Sequence, residues 1–128
     1  MSGAGKDRSV YIRHIHDCIG WIRTYVEDGK DAFFEDRKTQ DAVIRNLEVI
    51  GQSVKDFGTE RLTAIQPDAP WKQIAGTRNF LAHQYLGVDL KLVWNIVEQY
   101  LPQLEKQIND VAAAEGIDLN APDTPPPA

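Results

Sequence analysis

The stretch TQDAVIRNLEVIGQSVKDF, residues 39–57, decides the fold of this 128-residue chain. Its large apolar side chains recur at alternating steps of four and three residues, and they are Val43, Leu47, Ile50, Val54 and Phe57. That spacing places them on one stripe of an α-helix. Gly58 follows, and glycine favours a helix end. The stretch therefore predicts an amphipathic helix whose stripe other helices must cover.

A second helix is predicted upstream. It starts at Ser9 as N-cap and stops at Asp28-Gly29. Its apolar stripe consists of Tyr11, Ile15, Cys18, Ile22 and Val26. Between the two helices, residues 31–36 are expected to form a short turn or helical lead-in, with Phe33 or Phe34 entering the core.

Two further helices are predicted downstream, after one or two helical turns at residues 60–65. The first begins at Trp71 and ends near Gly87. The second follows Asp89 as its cap, and Pro102 should kink or restart it. Its stripe consists of Leu90, Trp94, Val97, Leu101, Leu104, Ile108 and Val111.

Helices with apolar stripes and short loops must bury those stripes against one another. We therefore predict an all-α fold, an up-and-down bundle of four to five helices over residues 9–114. Residues 1–8 are expected to be a flexible start. Residues 115–128, which include a Pro-rich run, are expected to be a disordered tail.

Composition limits what the chain can bind and where it works. The net charge of −5 argues against general coating of nucleic acid, which needs a broad basic surface, but leaves a small local contact open. The single cysteine, Cys18, excludes an internal disulfide and suits a reducing compartment. Since we see neither a long apolar run nor a signal peptide, we expect a cytoplasmic protein without a membrane span.

The candidate chemistry lies in RNFLAHQY, residues 78–85. On a helix, Arg78 falls in the middle of an apolar arc, where a charge is costly unless it is paired. The other members of that arc are Trp71, Ile74, Leu81 and Ala82. Asn79 and His83 are four residues apart and share the adjoining face. Guanidinium, imidazole and amide groups meeting at one cleft would suit a phosphodiester.

A purely structural interpretation of the same residues stays open. Arg78 can pair with an acidic residue on a neighbouring helix. His83 can lie at the helix C-terminus, where a cation is favourable. Tyr85 can be a boundary residue with a buried ring and a hydrated hydroxyl.

The run from Arg78 to Tyr85 resembles the signature of the HEPN superfamily, and within it the HepT-like ribonuclease toxins. That signature is an arginine, four residues, a histidine, one residue and a tyrosine. The likeness covers roughly residues 9–104. Its further matches are Arg45-Asn46-Leu47, Ile50-Gly51, Pro70-Trp71, residues 88–94 and Leu101-Pro102.

The resemblance implies a metal-independent endoribonuclease that acts as a homodimer and binds no cofactor. By this resemblance, Arg78 holds or neutralises the scissile phosphate of RNA. His83 transfers protons during attack by the ribose 2′-hydroxyl, and Asn79 supports the site. The expected product is a 2′,3′-cyclic phosphate. DNA lacks the 2′-hydroxyl and should survive.

The resemblance also implies a HEPN/MNT toxin–antitoxin pair, similar to type VII systems. The antitoxin is a minimal nucleotidyltransferase that takes AMP from ATP and transfers it to the tyrosine matching Tyr85. An AMP group two residues from His83 adds charge and bulk where an RNA phosphate should bind. One position departs from the family pattern, because Gln52 stands where members often have glutamate, which puts the strength of catalysis in doubt.

Two other interpretations use the same fold. One is a non-catalytic helical module that docks a nucleotidyltransferase or presents a nucleotide, and the other is a bundle used only for assembly. An intact Arg78/His83 pair favours the nuclease. No metal site is expected at His14, His16 and Cys18, because residues two apart face different directions on a helix. Trp71 and Trp94 are expected in the core rather than as base-stacking platforms.

Overall fold

The computed structural model describes residues 8–83 and 89–121, and for residues 80, 82 and 83 it describes the backbone alone. The α-helices are α1 (Ser9–Tyr25), α2 (Lys30–Glu35), α3 (Arg37–Phe57), α4 (Thr59–Ile65), α5 (Trp71–His83), α6 (Leu90–Asn95) and α7 (Leu101–Glu115). A π-helical turn, Ile96–Tyr100, joins α6 to α7 without a break. The all-α bundle is confirmed, with four long helices and the short α2 and α4. Within these ranges, no helix has the length and apolar character to cross a bilayer.

Helix α3 packs against α1 on one flank and α5 on the other, and every member of its predicted stripe is buried. Asp36 starts the helix by accepting hydrogen bonds from the Lys38 backbone N–H at 3.1 Å and the Thr39 hydroxyl at 2.7 Å. These bonds, the one from Thr39 above all, lower the pKa of the Asp36 carboxyl. Gly58 ends the helix with a φ of 115°. The charged entry to α3 is therefore an N-terminal cap.

Helix α1 covers α3 with a stripe of buried side chains, Ile12, Ile15, Cys18, Ile19 and Ile22. The prediction of Ser9 as N-cap is wrong by one residue, because Arg8 occupies that position and makes no side-chain cap. Gly29 adopts a φ of 94° and precedes α2. Phe33 of α2 is 1% exposed, and its ring centroid lies 5.3 Å from that of Trp94. Trp94 thus packs against the core, as predicted.

The last helix changes its winding next to Pro102. Asp89 caps α6 as predicted, because its side chain accepts from the backbone N–H groups of Lys91 and Leu92. The α-helix gives way to the π-helical turn and resumes at Leu101, with Pro102 in the first turn of α7. Proline lacks an N–H and its ring collides with the carbonyl four residues earlier. A wider turn immediately before the proline relieves that collision.

The packed part of the chain continues beyond Ala114. Gly116 has a φ of 65°, and the Ile117 N–H donates to the Ala112 carbonyl at 2.8 Å. Ile117 and Leu119 are partly buried against the core. Residues 115–121, which were expected to belong to the tail, therefore lie on the bundle. Residues 1–7 and 122–128 lie outside the described residues, so the predicted division of the chain stays a prediction.

Candidate functional site

Helix α5, which carries the signature segment, is held in the bundle at both ends. Trp71 is 1% exposed, and its indole N–H donates to the Gln66 carbonyl at 2.7 Å. Leu81, near the other end, is also 1% exposed. Trp71 is thus a core residue, as predicted. The two anchors fix the rotation of α5 about its axis and so decide which residues face solvent.

Gly51 lets α5 approach α3 unusually closely. A Cβ atom at Gly51 would lie 3.0 Å from the Ile74 carbonyl oxygen, 3.1 Å from the Arg78 nitrogen and 3.2 Å from the Arg78 Cβ. Such contacts are tighter than packed side chains normally tolerate. The base of Arg78 therefore rests on the backbone of α3. The sequence signal for this contact is a glycine inside a helix, where it costs roughly 1 kcal/mol relative to alanine.

Arg78 points its base at α3 and its charge at solvent. Its Cβ faces Gly51, as the apolar arc predicted, but the residue as a whole is exposed. Its Nη1 donates to the Asn79 Oδ1 at 3.2 Å. Among residues 8–83 and 89–121, no carboxylate forms an ion pair with it. The guanidinium therefore escapes the cost of a buried charge and remains free to meet an anion.

The other two predicted site residues lie at the edge of what the structure describes. His83 is the last residue of α5. Its side chain, and the whole of Tyr85, lie outside the described residues. Helix geometry puts Asn79 and His83 on one face. The structure brings Arg78 and Asn79 together, and a cleft shared with His83 stays a prediction.

A carboxylate that the sequence did not single out lies one helical turn beyond Gln52. Gln52 follows Gly51 directly, and its Nε2 donates to the Asp56 Oδ1 at 2.9 Å. Asp56 is exposed and Gln52 is half-buried. The acid that family members often carry at the position of Gln52 is thus absent, while the negative charge of Asp56 stands next to it.

Cys18 has the properties of a core residue. Burial, followed by the charge of Asp17 and against the opposing charge of Arg45, raises its pKa to about 11. Its thiol is therefore neutral near pH 7 and a poor nucleophile or metal ligand. His14 and His16 are half-buried on the same helix. Within the described ranges, no group of three or more His, Cys, Asp or Glu side chains could hold a metal ion.

The Gly51 contact gives a stability prediction with a matched control. We expect Gly51→Ala to lower the free energy of unfolding by about 1–2 kcal/mol, because overpacking against the α5 backbone outweighs the better helix propensity. Gly76 lies within α5, and a Cβ there would meet nothing within 4 Å. Gly76→Ala should therefore stabilise the protein by up to about 1 kcal/mol. Urea unfolding of both variants tests this, and equal stabilisation would contradict the close contact.

The helical bundle and the signature segment on α5 together define a class of protein. The model of the family described as "Ribonuclease HepT-like" matches residues 15–111. The chain belongs to this HepT-like family.

Relatives agree with the family match. The chain is 40% identical over 118 residues to "Putative RNase MJ0127" of Methanocaldococcus jannaschii, covering 91% of this chain and 97% of that protein. It is 34% identical over 106 residues to "Probable ribonuclease HepT" of Thermococcus cleftensis, covering 82% and 93%. It is 38% identical over 104 residues to "Gamma-glutamylcyclotransferase and putative RNase MJ0434" of M. jannaschii. That match covers 80% of this chain but only 46% of the relative's length. No solved structure matches the chain.

Proposed function

We propose that the protein is a metal-independent endoribonuclease. Membership of the HepT-like family supports this, as do relatives whose names describe them as ribonucleases. The observation that carries the proposal is the exposed Arg78, hydrogen-bonded to Asn79 and held against α3 at Gly51. A cation fixed at its base and unpaired at its tip suits an anionic substrate.

The proposed reaction is transesterification within RNA. The ribose 2′-hydroxyl loses its proton to a base and its oxygen attacks the adjacent phosphorus. The bond from phosphorus to the 5′-oxygen breaks, and that oxygen receives a proton. The products are a 2′,3′-cyclic phosphate and a 5′-hydroxyl. Arg78 neutralises charge on the phosphate, His83 transfers protons and Asn79 supports Arg78 through its side-chain oxygen.

A homodimer fits this chemistry. The reaction uses one base and one acid, and each chain supplies one histidine in the signature segment. Two chains whose signature segments line one cleft would supply both groups. Since the net charge of each chain is −5, contact with RNA is expected to be local, around Arg78 and its counterpart in the second copy.

We further propose that a minimal nucleotidyltransferase antitoxin controls the activity in the cytoplasm. The Tyr85 oxygen attacks the α-phosphorus of ATP, the hydroxyl proton is lost, and pyrophosphate leaves. The attached AMP adds a negative phosphodiester two residues from His83. That charge repels the phosphate of an incoming RNA, and the nucleoside blocks its path. Tyr85 is thus a control site and takes no part in cleavage.

The experiment that tests this function is cleavage of RNA and DNA of the same sequence in excess chelator. We expect the RNA alone to be cut, with 2′,3′-cyclic phosphate ends. Arg78→Ala should lower the rate by roughly 10²–10³-fold, because it removes the charge that stabilises the phosphate.

Lys72→Ala is the matched control, since it removes one exposed positive charge from the same helix and should leave the rate within about twofold. Cleavage that needs added metal, or an Arg78→Ala rate equal to that of Lys72→Ala, would contradict the proposal. A protein that cuts nothing but binds a nucleotidyltransferase would favour the non-catalytic module.

A further inference from the structure

An apolar groove runs between α5 and the last helix. Its volume is about 240 Å³. Leu47 and Ile50 of α3 lie in it, Ile74 and Thr77 come from α5, and Leu104 comes from α7. The groove thus exposes part of the apolar interior along one edge of the bundle.

The lining of this groove is unusual for the surface of this protein. Every described residue that lines it is uncharged, and its few polar groups are a threonine, a tyrosine and three glutamines. Charged residues make up 26% of the chain as a whole. Depletion of charge and the presence of an aromatic residue are typical of the centre of a protein–protein interface. An RNA strand would instead select basic residues.

A protruding aromatic side chain stands beside the groove. Tyr100, on the π-helical turn, lines the groove and is 55% exposed. The partly buried Ile96 and the 37% exposed Leu92 precede it at steps of four residues, so all three lie on one side of the helix. The same surface therefore contains a projecting side chain and a cavity of a size that suits one.

We propose that this groove, together with Tyr100 and Leu92, is the surface through which two copies of the chain pair. In a twofold symmetric dimer the same patch meets itself, so each copy must supply both halves of the contact. Here Tyr100 of each copy enters the groove of the other. The pairing places the two α5 helices at one interface, and it rests on the proposed function only in the further claim that this dimer cleaves RNA.

The other exposed aromatic residues do not form such a surface. Trp21 is 56% exposed and Tyr25 is 38% exposed, both on the outer face of α1. Their rings stack on each other with centroids 6.2 Å apart. The exposed carboxylate of Asp17 lies one turn before Trp21. This pair satisfies itself and supplies a control site with the same exposure as Tyr100.

The first test is the oligomeric state of matched variants by sedimentation velocity at micromolar concentration. The unmodified chain should be a dimer. Tyr100→Glu should raise the dissociation constant at least about 30-fold, as expected when a residue central to an interface is lost. Trp21→Glu should leave the dissociation constant within about threefold, since it places the same charge at a site of equal exposure. Circular dichroism checks that both variants are folded.

The second test is a disulfide between copies, formed with a mild oxidant. A tagged Tyr100→Cys chain mixed with an untagged Gln73→Cys chain should give a mixed cross-linked dimer, because Gln73 lines the groove that Tyr100 enters. The buried Cys18 does not compete, and a Trp21→Cys chain should not cross-link. A monomeric unmodified chain, or a Tyr100→Glu chain that dimerises as well as the unmodified one, would overturn the proposed surface. A dimer that depends on Tyr100 but does not cut RNA would keep the surface and reject the nuclease.

Discussion

His83→Ala is expected to lower the rate of RNA cleavage by roughly 10²–10⁴-fold, the usual contribution of a group that transfers protons. This corresponds to about 3–5 kcal/mol of the activation barrier. Binding of a DNA oligonucleotide, which has no 2′-hydroxyl to react, should change much less, because Arg78 still meets its phosphates. The measurement is single-turnover cleavage of a labelled RNA in excess chelator, with a parallel binding assay.

The matched control is His16→Ala, which removes a half-buried histidine from α1. Its cleavage rate should stay within about threefold of the unmodified rate. Mixing His83→Ala chains with Arg78→Ala chains should restore part of the activity if two copies line one cleft. A His83→Ala rate equal to that of His16→Ala would remove His83 from the proposed chemistry.

Tyr85→Phe is expected to abolish AMP transfer by the nucleotidyltransferase while RNA cleavage continues. The substitution removes only the oxygen that attacks ATP and keeps the ring. In cells that contain the partner, the variant should therefore remain toxic where the unmodified chain is silenced. Intact-mass spectrometry after incubation with the partner and ATP measures the added AMP directly.

Tyr25→Phe provides the control, because Tyr25 is also exposed but lies on α1. It should accept AMP to the same extent as the unmodified chain. AMP found in full amount on the Tyr85→Phe chain would place the modification elsewhere. Loss of RNA cleavage in that variant would instead assign Tyr85 a part in the reaction.

Gly51 connects the fold to the proposed chemistry. Arg78 would lie one side-chain layer further from α3 if residue 51 carried a Cβ, because the contacts are to the α5 backbone. The hydrogen bond to Asn79 then gives the guanidinium a second point of attachment. A phosphate-binding arginine gains from such support, since less side-chain entropy is lost on binding.

Most helices could be predicted from the sequence because helix formation and burial leave a local periodic record. The stripe on α3 and the caps at Asp36 and Asp89 depend on residues within one or two turns of each other. The end of the packed chain was harder to predict. Ile117 and Leu119 follow a helix-ending glycine and form no repeat, yet the turn at Gly116 lays them on the core.

The sequence by itself determined the helices, their apolar stripes and the segment that carries the signature, because spacing along one helix fixes which residues share a face. Only the tertiary structure decided that Gly51 meets Arg78, that the guanidinium reaches solvent, and that Tyr100 stands beside a groove. Each of these depends on the distance between two helices far apart in the chain. That distance follows from the packing of many side chains at once, which no local pattern records.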